Sequence, residues 1–206
     1  MSDSGYFHDY DEVYCYPHTG VLINKLGIED PGAFSKLETT VTALRMAELD
    51  SNPELGSYDL NHLKAIHRRI FGDLFDWAGE IRTVEISKGI PFCFCCNIES
   101  TAHRLFEELS EDHYLRGLDR DSIIMKLAYY LGEINAIHPF REGNGRVQRK
   151  FIEQLARQAG YPLSFINVGK KEMIEASVYA INCDYSKMEV LIRGCMESYA
   201  YHENDM

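Results

Sequence analysis

Apolar residues recur at intervals of three and four positions along most of the chain, which is the periodicity of amphipathic α-helices. The pattern predicts helices over seven stretches, which are approximately residues 31–49, 60–78, 98–109, 121–137, 145–159, 170–182 and 185–200. Since one short stretch alone departs from this pattern, we expect an all-α fold.

Helix-terminal residues support three of these predicted helices. Asp30 and Asp59 are placed as N-caps, and Pro31 occupies the first helical position. Gly79 and Gly160 are placed to end the second and fifth helices. The residues expected to face the core are Phe34, Leu37, Val41 and Leu44 in the first helix, Leu63, Ile66, Ile70, Leu74 and Trp77 in the second, Ile124, Leu127, Leu131 and Ile134 in the fourth, and Val147, Phe151, Leu155 and Ala159 in the fifth.

The stretch that departs from the pattern, "IRTVEISKGIPFCF" at 81–94, is rich in β-branched and aromatic residues around a Ser-Lys-Gly turn. It predicts a short β-hairpin. A lone hairpin cannot stabilise itself and leaves strand edges unpaired. It is either a packed connector or an edge that pairs with a peptide by strand addition.

The length and the ends of the chain indicate one intracellular domain. With 206 residues, the chain is expected to form a single domain over 1–206 with flexible ends at 1–15 and 201–206. It has neither an apolar run of about 18 residues nor a signal-peptide pattern, so we predict a cytoplasmic protein with no membrane partner.

The six cysteines should therefore be reduced thiols. Cys93, Cys95 and Cys96 form the one cluster, but no second pair follows that would complete a zinc site. A redox role for this cluster stays open.

The net charge of −11 argues against a nucleic-acid-binding protein, because affinity for phosphate backbones comes from many Lys and Arg contacts. Any phosphate should therefore bind at one local site, and the sequence contains one local cluster of positive charge. The segment "HPFREGNGRVQRK" at 138–150 places four cations around a Gly-Asn-Gly turn, namely Arg141, Arg146, Arg149 and Lys150.

This turn lies between the fourth and fifth predicted helices, so its backbone N–H groups begin a helix and form a ready anion site. Gly143 and Gly145 allow close backbone approach, and Asn144 tolerates left-handed geometry and can point N–H groups inward. Arg146 and Arg149 are three residues apart and share a face of the fifth helix. The segment therefore predicts a site for more than one phosphate group.

Two further residues of the turn suggest catalysis. Glu142 would repel a phosphate unless a cation lay between them, and Mg²⁺ binds through one or two carboxylates plus substrate phosphates. Mg-bound nucleotide is thus the expected ligand. His138, if neutral, could accept a proton from an attacking hydroxyl as a general base. Phe140 is expected to turn into the core.

Other interpretations of the turn remain. The sequence lacks GxxxxGK[ST], and "GNGRVQ" has no third glycine and follows a helix, so neither a Walker loop nor a dinucleotide fingerprint fits. A DNA-binding helical hairpin also joins its helices through Gly-x-Gly, but it generally has an apolar residue where Asn144 stands. A structural hairpin would need neither His138, Glu142 nor the arginine pair.

The segment from His138 to Arg149 resembles the HxFx[DE]GNGRxxR signature of the Fic family, with every defining position filled. The stretches "YPHTGVLINKLGI", "IFGDLFDWAGEIRTVEISKG" and "QLARQAGYPL" resemble the short bacterial members known as cell-filamentation proteins. The resemblance covers the chain from about Tyr16 to the last helix. It implies a Fic-type bundle of about seven or eight helices with a short β-hairpin flap.

The resemblance implies AMPylation, the transfer of AMP from ATP to a Tyr, Ser or Thr hydroxyl of a target protein. In that case His138 is the base, Glu142 holds Mg²⁺, and the turn from Gly143 to Gly145, with Asn144, forms the anion hole. Arg146 would neutralise the outer phosphates, and Arg149 is the second basic residue of the motif. The flap that docks the target would comprise Val84, Glu85, Ile86, Ser87, Lys88, Gly89 and Ile90.

Regulation is also implied by the resemblance. The family's inhibitory motif [ST]xxxE[GN] is missing from this sequence, which resembles members that a small antitoxin inhibits by supplying the Glu to Arg149. The chain would then be a toxin, and a type II topoisomerase subunit is a possible target by resemblance. Transfer of UMP or another phosphate-containing group, and a nucleotide-dependent binding module with little catalysis, remain alternatives.

Overall fold

The chain is described by a computed structural model that covers the backbone of residues 11–203 and the side chains of residues 11–199. Within this range the chain forms seven α-helices, and the predicted all-α fold is confirmed. The helices are α1 Pro31–Ser51, α2 Leu60–Phe71, α3 Ile98–Glu111, α4 Arg120–Ile137, α5 Asn144–Gln158, α6 Lys170–Ile181 and α7 Ser186–Glu203. Two short strands, β1 Ser87–Lys88 and β2 Ile90–Pro91, and two 3₁₀ turns, Cys95–Asn97 and His113–Leu115, complete the described elements.

Helix α4 is the central element of the bundle. It packs against α3, α5, α6 and α7, and α2 packs against α5. The four α4 residues predicted to face the core are all buried, as are Val147, Phe151 and Leu155 of α5. Because α4 and α5 are neighbours, the segment that joins them is held between two buried helices.

Helix α2 is shorter than predicted, because it ends at Phe71 and not near Ala78. Gly72 is its C-cap, and the N–H groups of Leu74 and Phe75 both donate to the carbonyl of Phe71. The carbonyl of Leu74 accepts from Lys25 of the N-terminal segment at 2.8 Å, so it is not available to continue the helix. Tertiary contact thus replaces the helical hydrogen bonds.

The predicted inner face of α1 is wrong at one position. Leu44 is 60% exposed, whereas Thr42 is buried together with Phe34 and Leu49. Two residues correspond to a rotation of about 200° around a helix, so a face centred on Thr42 turns Leu44 outward. The polar Thr42 was not expected inside because hydrophobic periodicity counts only apolar positions.

The hairpin exists, but its strands cover 87–88 and 90–91 and not the whole of 81–94. Ser87 pairs with Pro91 and Lys88 with Ile90, in antiparallel register. The residues on either side are bonded to the end of α4: Arg82 N donates to the carbonyl of Pro139, and Cys93 N donates to that of Ala136. Those backbone groups are therefore not available to extend the ladder.

The predicted flexible ends lie largely outside the described residues. Residues 11–15, however, differ from the prediction, since Tyr14 and Cys15 are buried and Asp11 forms an ion pair with Arg141. Residues 201–203 continue α7. All six cysteines are free thiols, as predicted. Between residues 11 and 203, no helix combines the length and the apolar character that crossing a bilayer requires.

We predict that Leu63→Ala and Leu44→Ala have very different effects on stability. Leu63 is 2% exposed, and truncating a buried leucine costs about 2–5 kcal/mol of unfolding free energy because it leaves a cavity. The same substitution at the exposed Leu44 should change it by less than about 0.5 kcal/mol. Urea unfolding measures both, and equal losses would contradict the orientation of α1.

Candidate active site

The segment between α4 and α5 turns sharply through two left-handed residues. His138, the C-cap of α4, has φ 48° and ψ 60°, and Gly143, the N-cap of α5, has φ 80° and ψ 0°. A Cβ added at Gly143 would overlap the Phe71 ring of α2. Glycine is thus required at 143 for conformation and for space, and the loop lies directly against α2.

Side chains inside the loop satisfy its backbone. The Asn144 side chain accepts from Phe140 N at 2.9 Å and donates to the carbonyl of Phe140 at 2.7 Å. Phe140 is fully buried, as expected. Asn144 does not use the left-handed geometry that it tolerates, because it is the first residue of α5 and Gly143 takes the positive φ. Its amide braces the loop, so only its backbone N–H can serve an anion.

His67 of α2 also supports the loop. Gly79 N donates to His67 Nδ1 at 2.8 Å, so the ring is neutral with its proton on Nε2, which donates to the carbonyl of Glu142 at 3.1 Å. Burial lowers the pKa of His67 to about 3, and its ring centroid lies 4.1 Å from that of Phe140. The carbonyl of the proposed metal ligand is thereby fixed from a helix remote in sequence.

His138 is 4% exposed and is held from two sides. Its Nδ1 lies 3.0 Å from the carbonyl of Asn135, and since a carbonyl only accepts, Nδ1 carries the proton. The Phe92 ring stacks on the imidazole with centroids 3.7 Å apart and planes 14° apart. Burial lowers the pKa of His138 to about 3. The ring is therefore neutral, and its Nε2 has no hydrogen-bond partner among the described residues.

Of the four cations of the segment, two turn away from the others. Arg141 is buried against Asp11, and Lys150 pairs with Asp50 and Glu153. The four cations that the sequence places around the turn therefore do not all face one site. The two that the segment presents together are Arg146 and Arg149, and they differ in their partners.

Arg146 contacts α1: its Nη1 bonds Glu38 and lies 3.0 Å from Thr42 Oγ1, and its guanidinium lies 4.7 Å from the centre of the Phe71 ring. In contrast, Arg149 makes no hydrogen bond or ion pair within the described part of the chain. Burial lowers the pKa of Arg149 from its usual value, and a guanidinium stays charged near neutral pH. A half-buried, unpaired cation is suited to an anionic ligand.

The start of α5 adds unpaired donors beside these arginines. No backbone acceptor of residues 11–203 and no side-chain acceptor of residues 11–199 bonds the N–H of Asn144 or of Gly145. The first N–H groups of a helix carry partial positive charge and bind phosphates readily. The turn can therefore hold an anion through backbone and side-chain groups together.

Glu142 is placed so that it could hold a cation. Its Oε1 accepts from Gly143 N at 2.9 Å and lies 3.6 Å from Arg146 Nη2, whereas Oε2 makes no hydrogen bond among the described residues and the side chain is 30% exposed. The described residues contain no group of three or more potential metal ligands. One carboxylate with an open oxygen fits Mg²⁺, which takes most of its other ligands from water and phosphates.

The flap approaches this site from the side of Glu142. Gly89 forms its tip with φ 78°, and Ile86 is buried beneath it. Desolvation lowers the pKa of Lys88 and the charge of Glu142 opposes this effect, which places the two groups within electrostatic reach. In the described residues the sheet has two strands, and no third strand pairs with either of them.

Val84 and Glu85, the first two residues of the predicted flap, form hydrogen bonds at its base. The carbonyl of Val84 accepts from Arg82 Nη1 at 2.9 Å, and Glu85 Oε1 accepts from Cys95 N at 3.0 Å. Burial raises the pKa of the Cys95 thiol, with Arg82 opposing this shift. Cys95 is therefore protonated at neutral pH and poorly suited to react as a thiolate.

Five residues that hold this site were not identified from the sequence, namely Glu38, Thr42, His67, Arg82 and Phe92. All five lie at least 46 residues before the residue they contact. A signal existed only for Arg82 and Phe92, which lie in the predicted hairpin, and it pointed to strand pairing and not to α4.

Residues 57–156 match the sequence model of the Fic/DOC family. The chain is 37% identical over 192 residues to the "Probable protein adenylyltransferase Fic" of Escherichia coli K12, covering 93% of this chain and 94% of the relative. It is 41% identical over 184 residues to the protein adenylyltransferase VbhT of Bartonella schoenbuchensis, covering 89% of this chain but only 38% of that longer protein.

The fold has solved counterparts as well. The BepC protein of Bartonella tribocorum, whose crystal structure contains bound AMPPNP, superposes with a TM-score of 0.83 at 26% identity. The match covers 91% of this chain and 98% of that one. A domain of the same architecture and nearly the same extent thus binds an ATP analogue.

We predict that Gly143→Ala destabilises the protein more than Gly117→Ala does. Both glycines have φ near 80°, so both variants pay the left-handed strain of about 1–2 kcal/mol. Only at 143 does the new methyl group meet another side chain, that of Phe71, whereas nothing lies within 4 Å at 117. Thermal unfolding of both variants measures the difference, and equal stability losses would contradict the packing of the loop on α2.

We also predict that His138 stays neutral in the folded protein from pH 8 to pH 5. A histidine with a pKa of about 3 gains no proton in this range, whereas the ordinary value is 6.5. ¹⁵N chemical shifts of labelled imidazoles should show one Nδ1–H tautomer that does not titrate. A midpoint near 6.5 would contradict the burial of this ring.

The same burial affects stability, since the unfolded chain takes up protons at His67 and His138 below pH 6.5 and the folded chain does not. The stabilisation from these neutral rings is fully present above pH 6.5. It should be lost progressively as the pH falls towards 3, which urea unfolding at pH 7 and pH 5 can measure.

Proposed function

This chain belongs to the Fic/DOC family and is a protein adenylyltransferase, and we propose that it transfers AMP from magnesium-bound ATP to a hydroxyl side chain of a target protein. The observation that carries the proposal is one arrangement at the α4–α5 turn. Among the described residues, a neutral histidine with a free Nε2 and a glutamate with an open carboxylate oxygen lie in the loop, and two helix N–H groups without acceptors and an arginine without an ion pair follow in the first two turns of α5. This is what nucleotidyl transfer requires.

In the proposed reaction, Nε2 of His138 accepts the proton of the target hydroxyl. The hydroxyl oxygen forms a bond to the α-phosphorus of ATP, the bond from that phosphorus to the bridging oxygen of the β-phosphate breaks, and pyrophosphate leaves. The fixed Nδ1–H tautomer supports this role, because the lone pair then lies on Nε2. A pKa of about 3 keeps the base available throughout the physiological range.

The phosphates are proposed to lie at the start of α5. The N–H groups of Asn144 and Gly145 and the Arg149 guanidinium would hold them. The charge of Arg146 would neutralise the outer phosphates. Mg²⁺, bound through Glu142, would neutralise phosphate charge when present. Such transfer depends mainly on positioning and charge neutralisation, and the braced loop supplies the positioning.

The flap from Val84 to Ile90 is proposed to dock the target as an added strand. Its position beside Glu142 and the lack of a third strand among the described residues support this role, since a peptide paired there would bring a hydroxyl close to His138. A Tyr, Ser or Thr hydroxyl would serve, and a type II topoisomerase subunit is retained as a target by resemblance alone.

The proposal includes regulation by a separate protein. The sequence lacks [ST]xxxE[GN], and Arg149 forms no ion pair with a carboxylate of residues 11–199, although the charge of Glu153 acts on it. An antitoxin helix that supplies a Glu would therefore meet an unpaired guanidinium. We accordingly propose a cytoplasmic toxin of a toxin–antitoxin pair.

The experiment is to incubate the protein with Mg²⁺, a bacterial lysate and ATP labelled on the α-phosphate. We expect label on discrete protein bands, its loss with His138→Ala, and its retention with His103→Ala, which changes an exposed histidine of α3. ATP labelled on the γ-phosphate should give no label with any of the three proteins. Label from γ-ATP would instead indicate a kinase.

If α-labelled UTP labels protein bands and α-labelled ATP does not, the donor is UTP and not the proposed ATP. If no donor labels any band while calorimetry shows intact nucleotide binding, the protein is a binding module and the proposed transfer is wrong.

A further inference from the structure

Arg82, at the base of the flap, is a buried cation with an unusual set of partners. Its side chain is 0% exposed, and its nearest carboxylate, Glu85, lies 3.5 Å away and is itself 57% exposed. The close acceptors are main-chain carbonyls: Nε donates to His138 at 2.8 Å, Nη1 to Val84 at 2.9 Å, and Nη2 to Cys93. A guanidinium buried mainly among neutral groups is costly, so it is retained where its geometry matters.

These acceptors belong to two different parts of the molecule. The carbonyls of Val84 and Cys93 lie on the two sides of the flap, at its first residue and three residues after its last, and that of His138 follows the last residue of α4. Backbone hydrogen bonds connect the same two parts: Arg82 N donates to the carbonyl of Pro139, and Cys93 N donates to that of Ala136. The planar, five-donor guanidinium therefore joins both ends of the flap to the segment that contains the proposed base.

The position is also favourable for a positive charge. A helix C-terminus carries partial negative charge and unpaired carbonyls, and α4 has no basic residue in its own last turn. Arg82 supplies that cation from the flap. His138 meanwhile has φ 48°, a conformation that surrounding contacts must hold in a residue other than glycine. The bond to the carbonyl of His138 acts directly on this residue.

We propose that Arg82 is a positioning residue that locks the His138 imidazole and the flap into a single arrangement. Phe92 completes the arrangement, because it lies at the flap end that Arg82 holds and stacks on the imidazole. The inference rests on the proposed role of His138 as the base. It adds that the position of the flap, where the target docks, and the orientation of the His138 imidazole depend on the same contacts, so that a shift of one would shift the other.

The test compares Arg82→Gln with Arg193→Gln, the same change at a half-exposed arginine of α7 that pairs with Asp121. For Arg82→Gln we expect kcat for AMP transfer to fall about 100-fold, as misplacement of a reacting group by about 1 Å does. The Kd for Mg-ATP should change less than about threefold, because Arg82 does not touch the start of α5. Arg193→Gln should leave both unchanged.

A second readout does not depend on activity. In ¹⁵N spectra of labelled imidazoles, with the His138 signals assigned by their loss in His138→Ala, Arg82→Gln should replace the single Nδ1–H tautomer with a mixture. If wild-type protein transfers no AMP, the proposed function fails, but this comparison still decides whether Arg82 positions His138.

Arg82→Lys separates geometry from charge, and it serves if Arg82→Gln does not fold. A lysine keeps a cation at the end of α4, but one ammonium cannot reach the carbonyls of His138, Val84 and Cys93 together. We expect a folded protein with kcat reduced about tenfold and a mixed tautomer. The proposal would be overturned if Arg82→Lys kept the wild-type kcat and a single tautomer. It would also be overturned if Arg82→Gln lost stability but kept the wild-type kcat and tautomer.

Discussion

The candidate site depends on the need to satisfy every polar group of a loop buried between helices. The turn from His138 to Gly143 reverses the chain in the interior, where an unpaired N–H or carbonyl is expensive. The solution is a set of specific bonds: Asn144 brackets Phe140, His67 holds the carbonyl of Glu142, and Arg82 holds that of His138. Once these groups are paired, the loop has one conformation, and the groups left over are those that face a ligand.

Electrostatics in this site follows from the same burial. Desolvation keeps His67 and His138 neutral, so each has a definite tautomer and a definite donor or acceptor role. The cations are divided in a corresponding way. Arg141 and Lys150 are paired with carboxylates, Arg146 is bonded to Glu38, and Arg149 forms no ion pair among residues 11–199. A cluster that looks uniform in sequence is therefore divided into cations with structural partners and one that is available for a ligand.

Much of the fold could be predicted from the sequence because helical periodicity is a local property. The four inward positions of α4 are all buried, and Asp30 and Asp59 cap their helices through bonds to Ala33 N and His62 N. The failures have a common cause, which is a long-range partner. Lys25 takes the carbonyl that would have extended α2, Thr42 turns inward towards Arg146, and Pro139 and Ala136 take the backbone groups that would have lengthened the hairpin.

The sequence by itself determined the helices and indicated where the candidate site lies and which chemical groups it contains. His138, Glu142, the two glycines and the arginines all lie within residues 138–149. Only the tertiary structure decided which of these groups are free to act. Whether a cation is paired and whether the backbone of the loop is satisfied depend on residues up to 130 positions away, such as Asp11 for Arg141 and His67 for Glu142. The tautomer of His138 is set by the carbonyl of Asn135 in the last turn of α4, but the burial that keeps the ring neutral comes from the packing around it. Local spacing specifies the groups, and burial among distant partners specifies their state.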